Sequence, residues 1–243
     1  MNPLQYFLLR RLHSLLGVIP LGVFLFGHLT TNSMAIFGQE AFIEKVNLIH
    51  SMGPLLPFVE ALLIFIPLSL HIILGIVIAL QSRNNLLSTE MKYGRNWAYT
   101  AQRWSGWAAL LFIAYHAGWL RLWDAPHRAY EHIESVGVYW QYMADLFRGL
   151  TGVFWVLVYL LGGLSVIFHF ANGLCTFCMT WGLTVGPKSQ KVMAWIALGV
   201  GLMLTGMLVA SIVGFLIHPA DVVVLDHGQL ESFPPTGNEQ IVK

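Results

Sequence analysis

Charge is what this sequence of 243 residues has least of: Asp, Glu, Lys and Arg make up 10% of it and hydrophobic residues 56%. None of the four charged types occurs from Leu12 to Gln39, and none from Gly149 to Pro187. So few charges cannot cover a soluble surface, which makes this an integral membrane protein. A net charge of +1, with basic residues in small groups between apolar runs, offers no nucleic-acid surface. Cysteine is scarce as well. The two present, Cys175 and Cys178, form a C-x-x-C followed by Met179, so the histidine that covalent c-type haem attachment requires is missing. At i and i+3 on a helix the pair reads as packing. No internal repeat is evident.

What is there in quantity is apolar runs, and five are long enough to span a bilayer. The spans are expected at about 12–37, 58–81, 104–123, 149–175 and 192–217, giving one all-α membrane domain over 1–218 and a polar tail over 219–243. The first run is too long for a signal-peptide core and carries His28, so it is kept as a span; Arg10-Arg11 before it reads as a cytoplasmic anchor. Gln39 to Pro57 reads as a short external connection with a small interfacial helix, and Pro67 is expected to kink span II near His71. Arg121 to Arg148 is expected to be an external loop. Leu174 to Val185 is expected to bend into the interface or pack inside the bundle. Span V has no charge, and Gly199, Gly201, Gly206, Ala210 and Ser211 suit helix contact. Eight basic residues (10, 11, 83, 92, 95, 103, 188, 191) fall on one side of these spans and five (45, 121, 128, 148, 243) on the other. That bias places the N-terminus in the cytoplasm and the C-terminus outside.

Inside the charge-free runs stand four histidines, each beside or near a glycine: Gly27-His28, His71 with Gly75, His116 with Gly118, and His169 among Gly162, Gly163 and Gly173. An imidazole in hydrocarbon must find a partner, and bare glycine backbone suits a close neighbouring helix or a large flat ligand. Counted at about 1.5 Å per residue from the inner anchors, His28 and His116 lie about 26 and 20 Å up, His71 and His169 about 18 and 14 Å. They sort into an outer pair on spans I and III and an inner pair on spans II and IV. In an up-down-up-down square of four helices these partners sit on diagonals about 14 Å apart, room for an iron porphyrin between two imidazoles. The reading is a diheme four-helix core in which the four histidines are axial ligands, a coordination that favours electron transfer over oxygen chemistry. For one such histidine alone an interhelical hydrogen bond is an equal explanation; four at matched depths tilt the balance. His13, in Arg11-Leu12-His13-Ser14, is placed to meet a haem propionate or a quinone. Ser14, Gln102 and Arg103, at inner span ends, are candidate propionate contacts.

Several segments carry a family resemblance: Arg10-Arg11-Leu12-His13-Ser14-Leu15-Leu16-Gly17, Arg83-Asn84-Asn85, Gly94-Arg95-Asn96-Trp97, and Ile167 to Leu174 with Thr180-Trp181-Gly182. From Arg10 to Ser211 the chain resembles the diheme cytochrome b membrane subunit of succinate dehydrogenases and fumarate reductases, of the single five-helix type. The resemblance implies two b haems, held by His71 and His169 nearer the cytoplasm and by His28 and His116 nearer the outer face. It also implies a quinone, often menaquinone, and two soluble partners: an FAD flavoprotein and an iron-sulfur protein. The chain would sit in a bacterial-type cytoplasmic membrane and pass electrons between the iron-sulfur partner and quinone. Arg83 to Arg103 is a candidate docking surface for that partner. Ile167 stands where some fumarate reductases of this type carry an acidic residue, so a matching proton route is not expected here. Two alternatives remain at this point: a cytochrome b anchor of another quinone-linked dehydrogenase, which predicts a different span count, and a non-haem scaffold or transporter, which predicts charges or broken helices at the midplane.

Overall fold

The computed structural model describes residues 2–81, 95–120, 137–218, 223–224 and 230–231. It is an all-α membrane bundle. Helix α1, Pro3–Val18, starts at Asn2, whose side chain and that of Gln5 cap each other's backbone N–H groups. Pro20 opens α2, Pro20–Ser33, and a tight 3-10 turn over Met34–Phe37 completes the first crossing. The interfacial helix expected in the next connection is α3, Gln39–His50.

Span II is a composite. Short α4, Leu56–Glu60, passes into a π-helical turn, Ala61–Phe65, and then into α5, Ile66–Gln81. The expected disturbance at Pro67 therefore takes the form of a widened turn just ahead of it, where a proline would otherwise clash with the preceding turn. Helix α6, Arg95–Ala117, begins well before the expected start at Trp104. Helix α7, Gly137–Arg148, occupies what was expected to be loop, and it earns its place by burying Trp140, Ala144 and Phe147. Helix α8, Gly152–Thr180, runs past Cys178 before Gly182, at φ +74°, turns the chain. Helix α9, Pro187–Ile217, follows. Residues 223–224 and 230–231 of the tail pair as two short antiparallel strands.

Four of the long helical stretches are long and apolar enough to cross a membrane: Pro3–Phe37, Gly53–Gln81, Gly152–Thr180 and Pro187–Ile217. The remaining crossing is α6, more polar at its inner end but 23 residues long, enough for a hydrocarbon core of about 30 Å. Helix α1 packs on α5, α5 on α6, α6 on α8 and α8 on α1, closing a square in which spans I and III, and II and IV, are diagonal. Helix α9 lies outside it, against α8, α2 and the Met34–Phe37 turn. The close contact there is Gly214, where a Cβ would fall 2.2 Å from the backbone of Ala35, rather than Gly199 or Gly206, which meet nothing within 4 Å. Leu204, Leu208, Ile212 and Phe215 of α9 join Trp140, Phe147, Tyr159 and Phe42 in a buried core.

Candidate functional site

The inner site is built from an arrangement that occurs three times. The Cβ bonds of a helix tilt toward its N-terminus, so the side chain at i+4 crowds the carbonyl of residue i. A glycine at i+4 uncovers that carbonyl, and at each of three such places an imidazole from another helix has docked. His71 Nδ1 lies 2.9 Å from the carbonyl oxygen of His13, and a Cβ on Gly17 would come within 2.5 Å of its ring. His13 Nδ1 lies 3.0 Å from the carbonyl oxygen of His71, over Gly75. His169 Nδ1 lies 3.1 Å from the carbonyl oxygen of Gln102, over Gly106. A carbonyl only accepts, so Nδ1 donates in all three and Nε2 keeps its lone pair, which is how protein ligands of a metal are usually oriented.

The ring geometry separates these histidines. His13 and His71 are stacked, with centroids 3.9 Å apart and planes at 15°, which leaves no space between them. His71 and His169, on diagonal helices, are 6.2 Å apart at 88°. Two imidazoles bound to opposite sides of one metal, each nitrogen about 2 Å from it, have centroids about 6 Å apart. Ligand atoms of His13, His71 and His169 all lie within 4.8 Å of one another, the one such group among the described residues. The His71–His169 crossing thus fits a metal held between them, with His13 stacked on His71 and part of the same cluster.

The outer site repeats the crossing on the other diagonal. His28 of α2 and His116 of α6 are 5.7 Å apart at 78°. Phe112 stacks on His116, and His116 Nδ1 is 3.4 Å from the hydroxyl of Tyr159 on α8. Asn32 donates to the carbonyl of His28, fixing the end of α2. Gly27 and Gly118 meet nothing within 4 Å, so no neighbouring helix closes on them among the described residues, unlike Gly17, Gly75 and Gly106.

Several polar residues at this end of the bundle are engaged with neighbouring helices. Gln102 donates its amide to the carbonyl of His169 at 3.0 Å and accepts from Asn172 at 2.8 Å. With the His169–Gln102 bond running the other way, helices α6 and α8 are tied twice at one level. Ser14 donates to the carbonyl of Arg11 and accepts from the Trp181 indole. Arg11 lies between the rings of Phe7 and Trp181 and donates to the carbonyl of Thr180. Arg103 donates to the carbonyl of Ala79, at the inner end of α5. Cys175 and Cys178 are free thiols directed at Met193 of α9, through its carbonyl and its sulfur respectively. His218 binds the carbonyl of Ile36 and has no part in either site. Arg83 and Lys92 lie outside the described residues.

Sequence reasoning missed Gly106 and Tyr159, and gave Gly17 and Asn172 no role beyond their family-like segments. The signal for the glycines was there, as the fourfold spacing His13/Gly17, His71/Gly75 and Gln102/Gly106, and only the middle one was noticed. Tyr159 is one of eight tyrosines and nothing local marks it.

No protein-family model matches the chain. It is, however, 38% identical over 192 residues to the succinate dehydrogenase cytochrome b558 subunit of Bacillus subtilis (strain 168), an alignment covering 79% of this chain and 88% of that protein. Likeness of that degree across most of both chains, on a bundle with histidines paired on its diagonals, places this protein in the succinate dehydrogenase cytochrome b558 subunit family, as a membrane-anchor cytochrome b.

Proposed function

We propose that this subunit carries electrons between the iron-sulfur subunit of succinate dehydrogenase and membrane quinone, through two b haems held by His71 with His169 and by His28 with His116. The observation that carries the reading is the pair of crossings at 6.2 and 5.7 Å, both on the diagonals of the helix square. Haem bound at these sites supplies a reversible one-electron carrier with both axial positions filled. The chain's own residues do the rest. The carbonyls of His13 and Gln102 hold the inner imidazoles in the tautomer that presents Nε2, and the apolar spans exclude water and oxygen donors from them. Ser14, Gln102 and Arg103 are at the inner end, where propionates of the inner haem would emerge. Arg103 offers charge there; Gln102 would exchange its Asn172 contact to reach one. The N-terminus lies in the cytoplasm in this reading, so the inner pair faces the flavoprotein and iron-sulfur partners. The quinone, menaquinone by family resemblance, exchanges electrons with the haems within the membrane.

The direct test is haem content per chain with a reduced-minus-oxidised spectrum, on the complex purified with its partners. Two low-spin b haems unreactive with carbon monoxide are expected. One haem would remove a pair, and none in a folded complex would defeat the reading. Replacing His71 or His169 by alanine is expected to abolish the inner haem and weaken assembly with the soluble subunits; normal haem content in both variants would refute the pairing.

A further inference from the structure

The two sites differ in what receives the imidazole N–H. His71 and His169 donate to backbone carbonyls at 2.9 and 3.1 Å, which no side-chain substitution removes, the Ser105 hydroxyl lying farther off at 3.5 Å from the His169 Nδ1. His116 instead meets the Tyr159 hydroxyl at 3.4 Å. With Nε2 of His116 on a metal, Nδ1 carries the proton and the phenol oxygen is the acceptor. That oxygen is held in place. Tyr159 is 6% exposed, and Phe112 and Tyr115 of α6 and Phe147 of α7 meet its ring edge-to-face.

We infer that Tyr159 is a positioning residue for the outer haem, its hydroxyl orienting His116 and setting the reduction potential of that haem independently of the inner one. This rests on the ligand assignment proposed above. An acceptor on the distal N–H makes a metal-bound imidazole more basic, which favours the ferric state. A phenol at 3.4 Å is a long contact, so its effect is smaller than that of a carbonyl at 2.9 Å. Removing it leaves the N–H without its acceptor and shifts the outer haem toward the ferrous form.

The experiment is Tyr159→Phe in the assembled complex, with optical redox titration of both haems, the outer one being that missing from a His28→Ala complex. The expected result is two haems retained, with the reduction equilibrium of the outer one moved toward ferrous by about three- to tenfold, at most about +59 mV for one electron, and the inner unmoved. An unchanged outer potential with both haems present overturns the inference and leaves the ligand assignment standing. A shift confined to the inner haem overturns both. If the outer haem is lost from the phenylalanine variant, 3-fluorotyrosine introduced at position 159 decides, since it keeps the shape and weakens the oxygen as acceptor. A smaller upward shift then supports the role, and no shift overturns it. Fewer than two haems in the unmodified complex would be a failure of the ligand assignment instead.

Discussion

One methyl group is enough to close a carbonyl that an imidazole uses. At Gly106 an added Cβ would lie 2.9 Å from Cε1 of His169, and the ring sits there because its Nδ1 is bonded to the carbonyl of Gln102. Gly106→Ala forces the ring off that carbonyl, at a cost of about 1–3 kcal/mol for overpacking. Haem content measured at limiting haem supply should fall for the inner site while the outer site fills normally. Gly199→Ala is the matched control, because nothing lies within 4 Å of the added atom. It should change stability by less than about 0.5 kcal/mol. Equal haem loss in both would mean that the glycines act through helix flexibility rather than through the dock.

Between elements, one close join is that of α9 to the Met34–Phe37 turn. The atoms a Gly214 side chain would meet are backbone: the carbonyl of Ala35 and the nitrogen of Ile36. No rotamer change relieves such a clash, so Gly214→Ala must part α9 from the first crossing. Thermal unfolding of that variant in detergent should begin several degrees lower, with haem spectra unchanged until the transition. Asn172 belongs to the same scale, tying α8 to α6 through Gln102 and the carbonyl of Ala98. Asn172→Leu is expected to cost about 1–2 kcal/mol, since it strands the Gln102 oxygen in a dry setting. Which elements would exist was largely readable in the chain, since runs without charge leave a membrane helix as the one economical structure. Where they begin was less so. The first turns of helix α6 hold the polar and aromatic sequence Arg95 to Arg103, and hydropathy stops short of such a segment. Helix α7 is amphipathic and becomes stable by burying Trp140 against Phe42 and Phe215, partners distant in sequence.

For the whole molecule, each span packs on the next and the fourth on the first, which puts alternate spans on diagonals. One histidine on each of four successive spans therefore yields two diagonal pairs of rings. What could not be foreseen is each ring's other nitrogen, because its partner is chosen by how two helices are rotated about their axes. His13 shows the difficulty: its place at an inner span end was legible, its stacking on His71 was not. The proposed orientation has its own test. Single cysteines placed at Asn2 and at Val242, with Cys175 and Cys178 replaced by serine, should be labelled by an impermeant maleimide from opposite sides of oriented vesicles. Labelling of both from one side would require an even number of crossings.

The clasp between His13 and His71 is made by the first two crossings alone, each ring donating to the backbone of the other's helix. It needs nothing from α6 or α8. During synthesis this hairpin can therefore close on itself while His169 is still unmade, with one inner imidazole already aimed and its Nε2 free. The half of this site that lies in the first 81 residues is thus held together by contacts within that segment.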